Sequence, residues 1–195
     1  MRATIFALLL LAVTAQAGHH RGHAIEFLDS AEVALTNAEW KFYKAFEKAP
    51  RDFTPEQIET IRVIRVYTDS AKQDLSDARI LISDPLVNNG TFGLSVNGKK
   101  CLNESTHISP ALDCARRMIT QPRPANVGRW GAYRRFFVIM GRLIYVRDWY
   151  TDQGWTDTIR AYQVFTRNVQ QNLDFVNWHI QDAIREEVYA DPNFQ

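Results

Sequence analysis

The chain has 195 residues, 46% of them hydrophobic and 12% aromatic, with a formal net charge of +1. Such a composition can bury enough apolar surface to offset the entropy of ordering, which excludes an intrinsically disordered chain. A charge so close to neutral excludes a protein whose overall balance demands a polyanionic partner.

Taken in chain order, residues 1–17 read as a secretory signal peptide: Arg2 gives a positive start, Ile5 to Val13 a short apolar core, and Ala15-Gln16-Ala17 a small-residue cleavage site. The expected product is a secreted, extracellular protein of 178 residues, 18–195. Residues 18–23, Gly-His-His-Arg-Gly-His, lack apolar periodicity and read as a mobile His-rich leader. Residues 24–195 then read as a single helical domain, with no second apolar run of the ~20 residues that a transmembrane segment needs.

The first helix is predicted from about Ala24 to Lys48, with a seam of Leu28, Ala31, Leu35, Ala38, Phe42 and Ala45 in steps of three and four, widened by Trp40, Tyr43 and Phe46. Thr54-Pro55-Glu56-Gln57 opens the second helix with a capping hydroxyl, a proline at the first helical position and a capping-box glutamine. Its seam, Ile61, Ile64, Thr68, Ala71, Leu75, Ala78 and Ile82, ends at Asp84-Pro85. From Leu86 to Ile108 the helical stripe is lost, and Leu94-Ser95-Val96 before Asn97-Gly98 suggests a loop or a small hairpin on a tight turn. Two sequons, at Asn89 and Asn103, make this excursion an exposed glycosylation region. Cys101 and Cys114 form an even pair in a secreted chain and are expected to close one disulfide.

Ser109-Pro110 starts a short helix that ends before Gln121-Pro122. A further helix is predicted from about Val127 to Tyr150, with Trp130, Tyr133, Phe137, Met140 and Ile144 inward. The last runs from about Thr156 to Tyr189 through Ile159, Tyr162, Phe165, Val169, Leu173, Val176, Ile180 and Ala183. The expected fold is all-α: an elongated up-and-down bundle of four long helices plus one short helix, with the disulfide-stapled excursion between helices two and three.

Function is less sharply written. The segment from Ala115 to Arg147 holds eight arginines and no acid. Its first reading is a basic segment that packs beside acidic helices and forms ordinary ion pairs; its second is an anion-binding face built from Arg129, Arg134, Arg135, Arg142 and Arg147. Nucleic acid is not the expected partner. The aromatic load of the last two helices reads as filled core or, alternatively, as a cavity for a small apolar ligand lined by Trp130, Phe137, Met140, Ile144, Tyr162 and Phe165. Cleavage after Ala17 would leave Gly18-His19-His20 as a new N-terminus, whose amine, two amides and imidazole suit square-planar Cu(II). His179, Asp182 and Glu186 share one helix face but read as a solvated polar surface. His107, Ser109 and Asp113 include nucleophile, base and acid types, yet match no catalytic ordering and read as loop and cap residues. No dinucleotide, phosphate-loop or zinc-protease motif occurs. The expectation is therefore a non-enzymatic, helical, secreted glycoprotein that binds a protein partner or an anionic extracellular surface, with a carrier of a small apolar ligand as the alternative.

Overall fold

The computed structural model describes residues 2–47, 53–83, 93–105, 109–120, 131–148 and 153–190. Within them lie six helices and no strand: α1 (Arg2–Glu47), α2 (Pro55–Ser83), α3 (Val96–Asn103), α4 (Pro110–Ile119), α5 (Ala132–Asp148) and α6 (Gln153–Ala190). Among the described residues, no helix is long and apolar enough to cross a membrane.

The seams foreseen on α1, α2 and α6 are the buried faces. Leu28, Ala31, Leu35, Ala38 and Phe42 of α1 are buried, as are Ile64, Thr68, Ala71, Leu75, Ala78 and Ile82 of α2. On α6, Ile159, Tyr162, Val169, Leu173, Val176, Ile180 and Ala183 point inward. The capping box at the start of α2 forms as its sequence requires: Thr54 N–H donates to Gln57 Oε1 at 2.9 Å and Gln57 N–H to Thr54 Oγ1 at 3.3 Å.

Alanines on the α1 seam let α6 approach closely, and this is the most extensive helix pair in the fold. Phe27 stacks on Phe175 with ring centroids 4.8 Å apart, and Phe42 meets Tyr162 at 5.2 Å, so α1 and α6 run antiparallel. α2 is antiparallel to α1, with Glu39 paired to Lys72 and Glu32 to Arg79. α5 lies against α2 through Arg135 and Asp74, and against α6. α4 packs on α2 and α6, and α3 on α4.

Five expectations need correction. Residues 18–23 are not a loose leader: they are helical and continuous with the rest of α1. Arg21 ties this stretch down by pairing with Glu187 and donating to the Ile82 carbonyl, and His20 packs on His179. The excursion contains no hairpin at Asn97-Gly98, because Ser95 caps a helix there instead. The Ser95 hydroxyl oxygen accepts from Gly98 N–H at 3.1 Å, while buried Asp77 accepts from Ser95 N–H at 2.9 Å. A β-carbon at Gly98 would sit 2.7 Å from the Asp77 carboxylate, so this close approach of α3 to α2 requires glycine. There are accordingly two short helices, not one. α5 begins at Ala132, not near Val127, since Gly131 lies against the end of α4, where a β-carbon would meet the Thr120 carbonyl. Finally, Trp40 and Tyr43 do not widen the α1 core stripe but are 56% and 47% exposed.

The disulfide forms between Cys101 and Cys114, both buried, and joins α3 to α4. It closes a loop with a sequence separation of 13, for which restriction of the unfolded chain contributes on the order of 3 kcal/mol. Replacing both cysteines by serine is expected to lower the unfolding free energy by about that amount in urea denaturation, leaving the helical circular-dichroism signal of the native state intact.

Candidate functional site

α5 carries apolar residues all round, so its buried side is set by packing rather than by its sequence period. Ala132, Phe136, Ile139, Leu143 and Val146 are inward, all fully buried. Phe137 and Ile144, expected to be inward, are instead 59% and 48% exposed, and Tyr145 is 66% exposed. The outer face of α5 is therefore a stripe of Arg134, Phe137, Gly141, Arg142, Ile144 and Tyr145 at helical spacing. The Arg134 guanidinium carbon lies 5.8 Å from the Phe137 ring centroid, a cation–π distance that holds both side chains along the surface. A β-carbon at Gly141 would meet nothing within 4 Å, so the middle of the stripe is open.

The arginine-rich segment divides into two roles. Arg135 turns inward: its Nε donates to Asp74 Oδ2 at 2.6 Å, and both side chains are largely buried. Burial raises the Asp74 pKa to about 6, more than the Arg135 charge and hydrogen bond lower it. Arg116 and Arg117 both pair with Asp113, which is buried at the first turn of α4. These three arginines follow the internal-pairing reading, and Arg135 is removed from the anion-binding set. Arg142 is exposed on the outer stripe with Arg134 beside it. Arg129 and Trp130 lie outside the described residues, as does the side chain of Arg147.

The proposed lining of an apolar cavity is not brought together. Phe137 and Ile144 face away from the core, whereas Tyr162 is 1% exposed and fills space between α1, α2 and α6. Met140 and Phe165 are half-buried against the core. The cleft beside Tyr162, bordered by Phe42, Thr68 and Asp69, has about 10 Å³ of room for a water-sized molecule. Ligand pockets begin at ~300 Å³.

Among the described residues, no three of His, Cys, Asp and Glu are grouped so as to hold a metal ion. Gly18, His19 and His20 are helical, a conformation whose successive amides cannot lie in one plane with an imidazole, so copper chelation there would require this stretch to unwind. The sequon residue Asn103 is exposed at the end of α3, and the hydroxyl of its Ser105 donates to the Cys101 carbonyl at 3.0 Å. Asn89 lies outside the described residues. Ser109 stands at the N-cap position of α4 without a side-chain capping hydrogen bond, and Asp113 lies in the first turn, while His107 lies outside the described residues.

Sequence reasoning missed two features. The exposed phase of α5 was hidden by its apolar residues on every side. The gathering of His19, His20 and His23 with His179 could have been sought in the antiparallel register of the first and last helices. No protein-family model, curated protein or solved structure matches this chain.

Proposed function

We propose that this is a secreted, non-enzymatic helical glycoprotein that acts by binding, and that the outer stripe of α5 is its contact surface for an anionic extracellular surface or a protein partner. The frame is an up-and-down arrangement of α1, α2, α5 and α6, with α3 and α4 as its disulfide-stapled excursion. One observation carries the reading: Arg134, Phe137, Arg142 and Tyr145 stand on one face of a helix whose opposite face is fully buried. Aromatic residues and arginine are the types enriched in interfaces, because they combine contact area with directed polar contacts. Arginine adds bidentate recognition of sulfate, phosphate or carboxylate.

The test is retention on immobilised heparin, a sulfated glycan, over a salt gradient. The protein is expected to bind at low salt and to lose affinity steeply as salt rises. Arg134→Glu with Arg142→Glu is expected to weaken binding at least tenfold, while thermal unfolding stays within a few degrees of the parent. Binding that ignores salt, or that survives both charge reversals, would exclude the anionic-surface form of the proposal.

A further inference from the structure

Four of the five histidines come together at one end of the α1–α6 pair. His20 Nδ1 lies 3.0 Å from His179 Nδ1, and His23 Nε2 lies 3.1 Å from His19 Nε2. The His23 ring stacks on His179 with centroids 5.2 Å apart, and Phe27 stacks on the same imidazole at 5.6 Å. Trp178 meets the His20 ring edge-on at 6.2 Å. His179 itself is buried, 7% exposed.

We propose that this cluster is a pH-operated latch: with neutral imidazoles it clips residues 18–27 of α1 onto α6, and in mild acid it releases them. Each close nitrogen pair can be bridged by one shared proton in an N–H···N bond, which requires at least one neutral ring. When both rings are protonated both nitrogens are donors, so the bond becomes a repulsion between cations about 3 Å apart. His20 and His179 stand on different helices, so their repulsion acts directly on the α1–α6 contact.

The charged surroundings modify this without cancelling it. On α1, Glu26 Oε2 lies 3.0 Å from His23 Nδ1. On α6, Glu186 Oε1 lies 3.5 Å from His20 Nε2, and its other oxygen is buried with no hydrogen-bond partner among the described residues. Asp182 pairs with Arg185 and acts on His179 from one turn away; Glu187 pairs with Arg21. From α2, the Ile82 carbonyl accepts from Arg21, while Arg79 is engaged with Asp29 and Glu32. The charges of α4, Asp113, Arg116 and Arg117, pair with one another. Glu26 and Glu186 thus lie beside His23 and His20. The buried ring of His179 opposes its own protonation. Its pKa is lowered by burial first, then by the neighbouring His20 and His23. A histidine depressed in the folded state contributes stability that is present above its unfolded pKa of ~6.5 and is lost as pH falls through its folded value.

Hydrogen exchange of the full chain at pH 7.5, 6.5, 5.5 and 5.0, corrected for intrinsic rates, tests the latch. The amides of residues 23–28 are expected to lose at least tenfold in protection between pH 7.5 and 5.0, while those of residues 64–78 in α2 keep theirs. His179→Phe preserves an aromatic partner for Phe27 but cannot take a proton, and should hold residues 23–28 protected down to pH 5.0. His20→Gln, which keeps a neutral hydrogen-bonding group opposite His179, gives the same test should the first variant fail to fold. Protection in the parent that does not change with pH overturns the proposal. So does an equal loss in the folded variants.

Discussion

Replacing Phe136 by alanine is expected to cost about 3–5 kcal/mol of unfolding free energy, the range for a large aromatic deleted from a packed core. The same change at Phe137 should cost at most about 1 kcal/mol, the scale of its exposed cation–π contact with Arg134. Adjacent phenylalanines would thus differ by a factor of about thirty to several hundred in the folding equilibrium, since every 1.4 kcal/mol is tenfold. The reason is geometric. One residue along a helix is a rotation of about 100°, which takes the side chain from the 0% exposed position of Phe136 to the 59% exposed position of Phe137. Urea denaturation of the two single variants measures it; equal costs would mean that α5 is rotated from the phase described above, and the proposed contact stripe would go with it.

That pair also marks where the sequence stops being readable. On α1, α2 and α6 a single three-and-four seam carries most of the buried apolar residues, so it identifies the buried face without any knowledge of neighbours, although Trp40, Val66 and Phe175 lie exposed outside it. Between Phe136 and Val146, α5 offers Phe136, Ile139, Leu143 and Val146, but also Phe137, Met140 and Ile144, two seams with the same three-and-four spacing. Only the partners decide between them. Asp74 on α2 takes Arg135, and this contact turns Phe136 inward with Phe137 and Arg134 outside. The capping box at Thr54 was legible because all its atoms come from four consecutive residues. The helix at Val96 was not, because its N-cap Ser95 is held by Asp77, eighteen residues away. The histidine cluster is more distant still, joining residues separated by 159 positions.

The largest electrostatic effect is expected at Asp74 and Arg135. Asp74→Ala should cost about 3–5 kcal/mol at pH 7, because it strands a guanidinium in a largely buried site. Replacing both residues, Asp74→Leu with Arg135→Met, should instead be neutral or stabilising by about 1–4 kcal/mol, since the desolvation of two charges disappears along with their attraction. The Asp74 pKa, raised to about 6 mainly by burial, indicates that the ionised carboxylate is disfavoured in the fold even with Arg135 beside it. The sign follows: a carboxyl raised in the folded state contributes stability that is fully present below its unfolded pKa of ~3.9 and is lost as pH rises through about 6. Denaturation of the parent between pH 4 and 7 should contain this slope, and the double variant should lack it. The histidine latch has the opposite sign, since acid loosens it. The Asp74 contribution to global unfolding and the local exchange at residues 23–28 should therefore respond in opposite directions over the same pH interval. In the double variant the Asp74 contribution vanishes, while loosening of residues 18–27 of α1 persists, because Asp74 and Arg135 join α2 to α5 and take no part in the His20–His179 contact between α1 and α6.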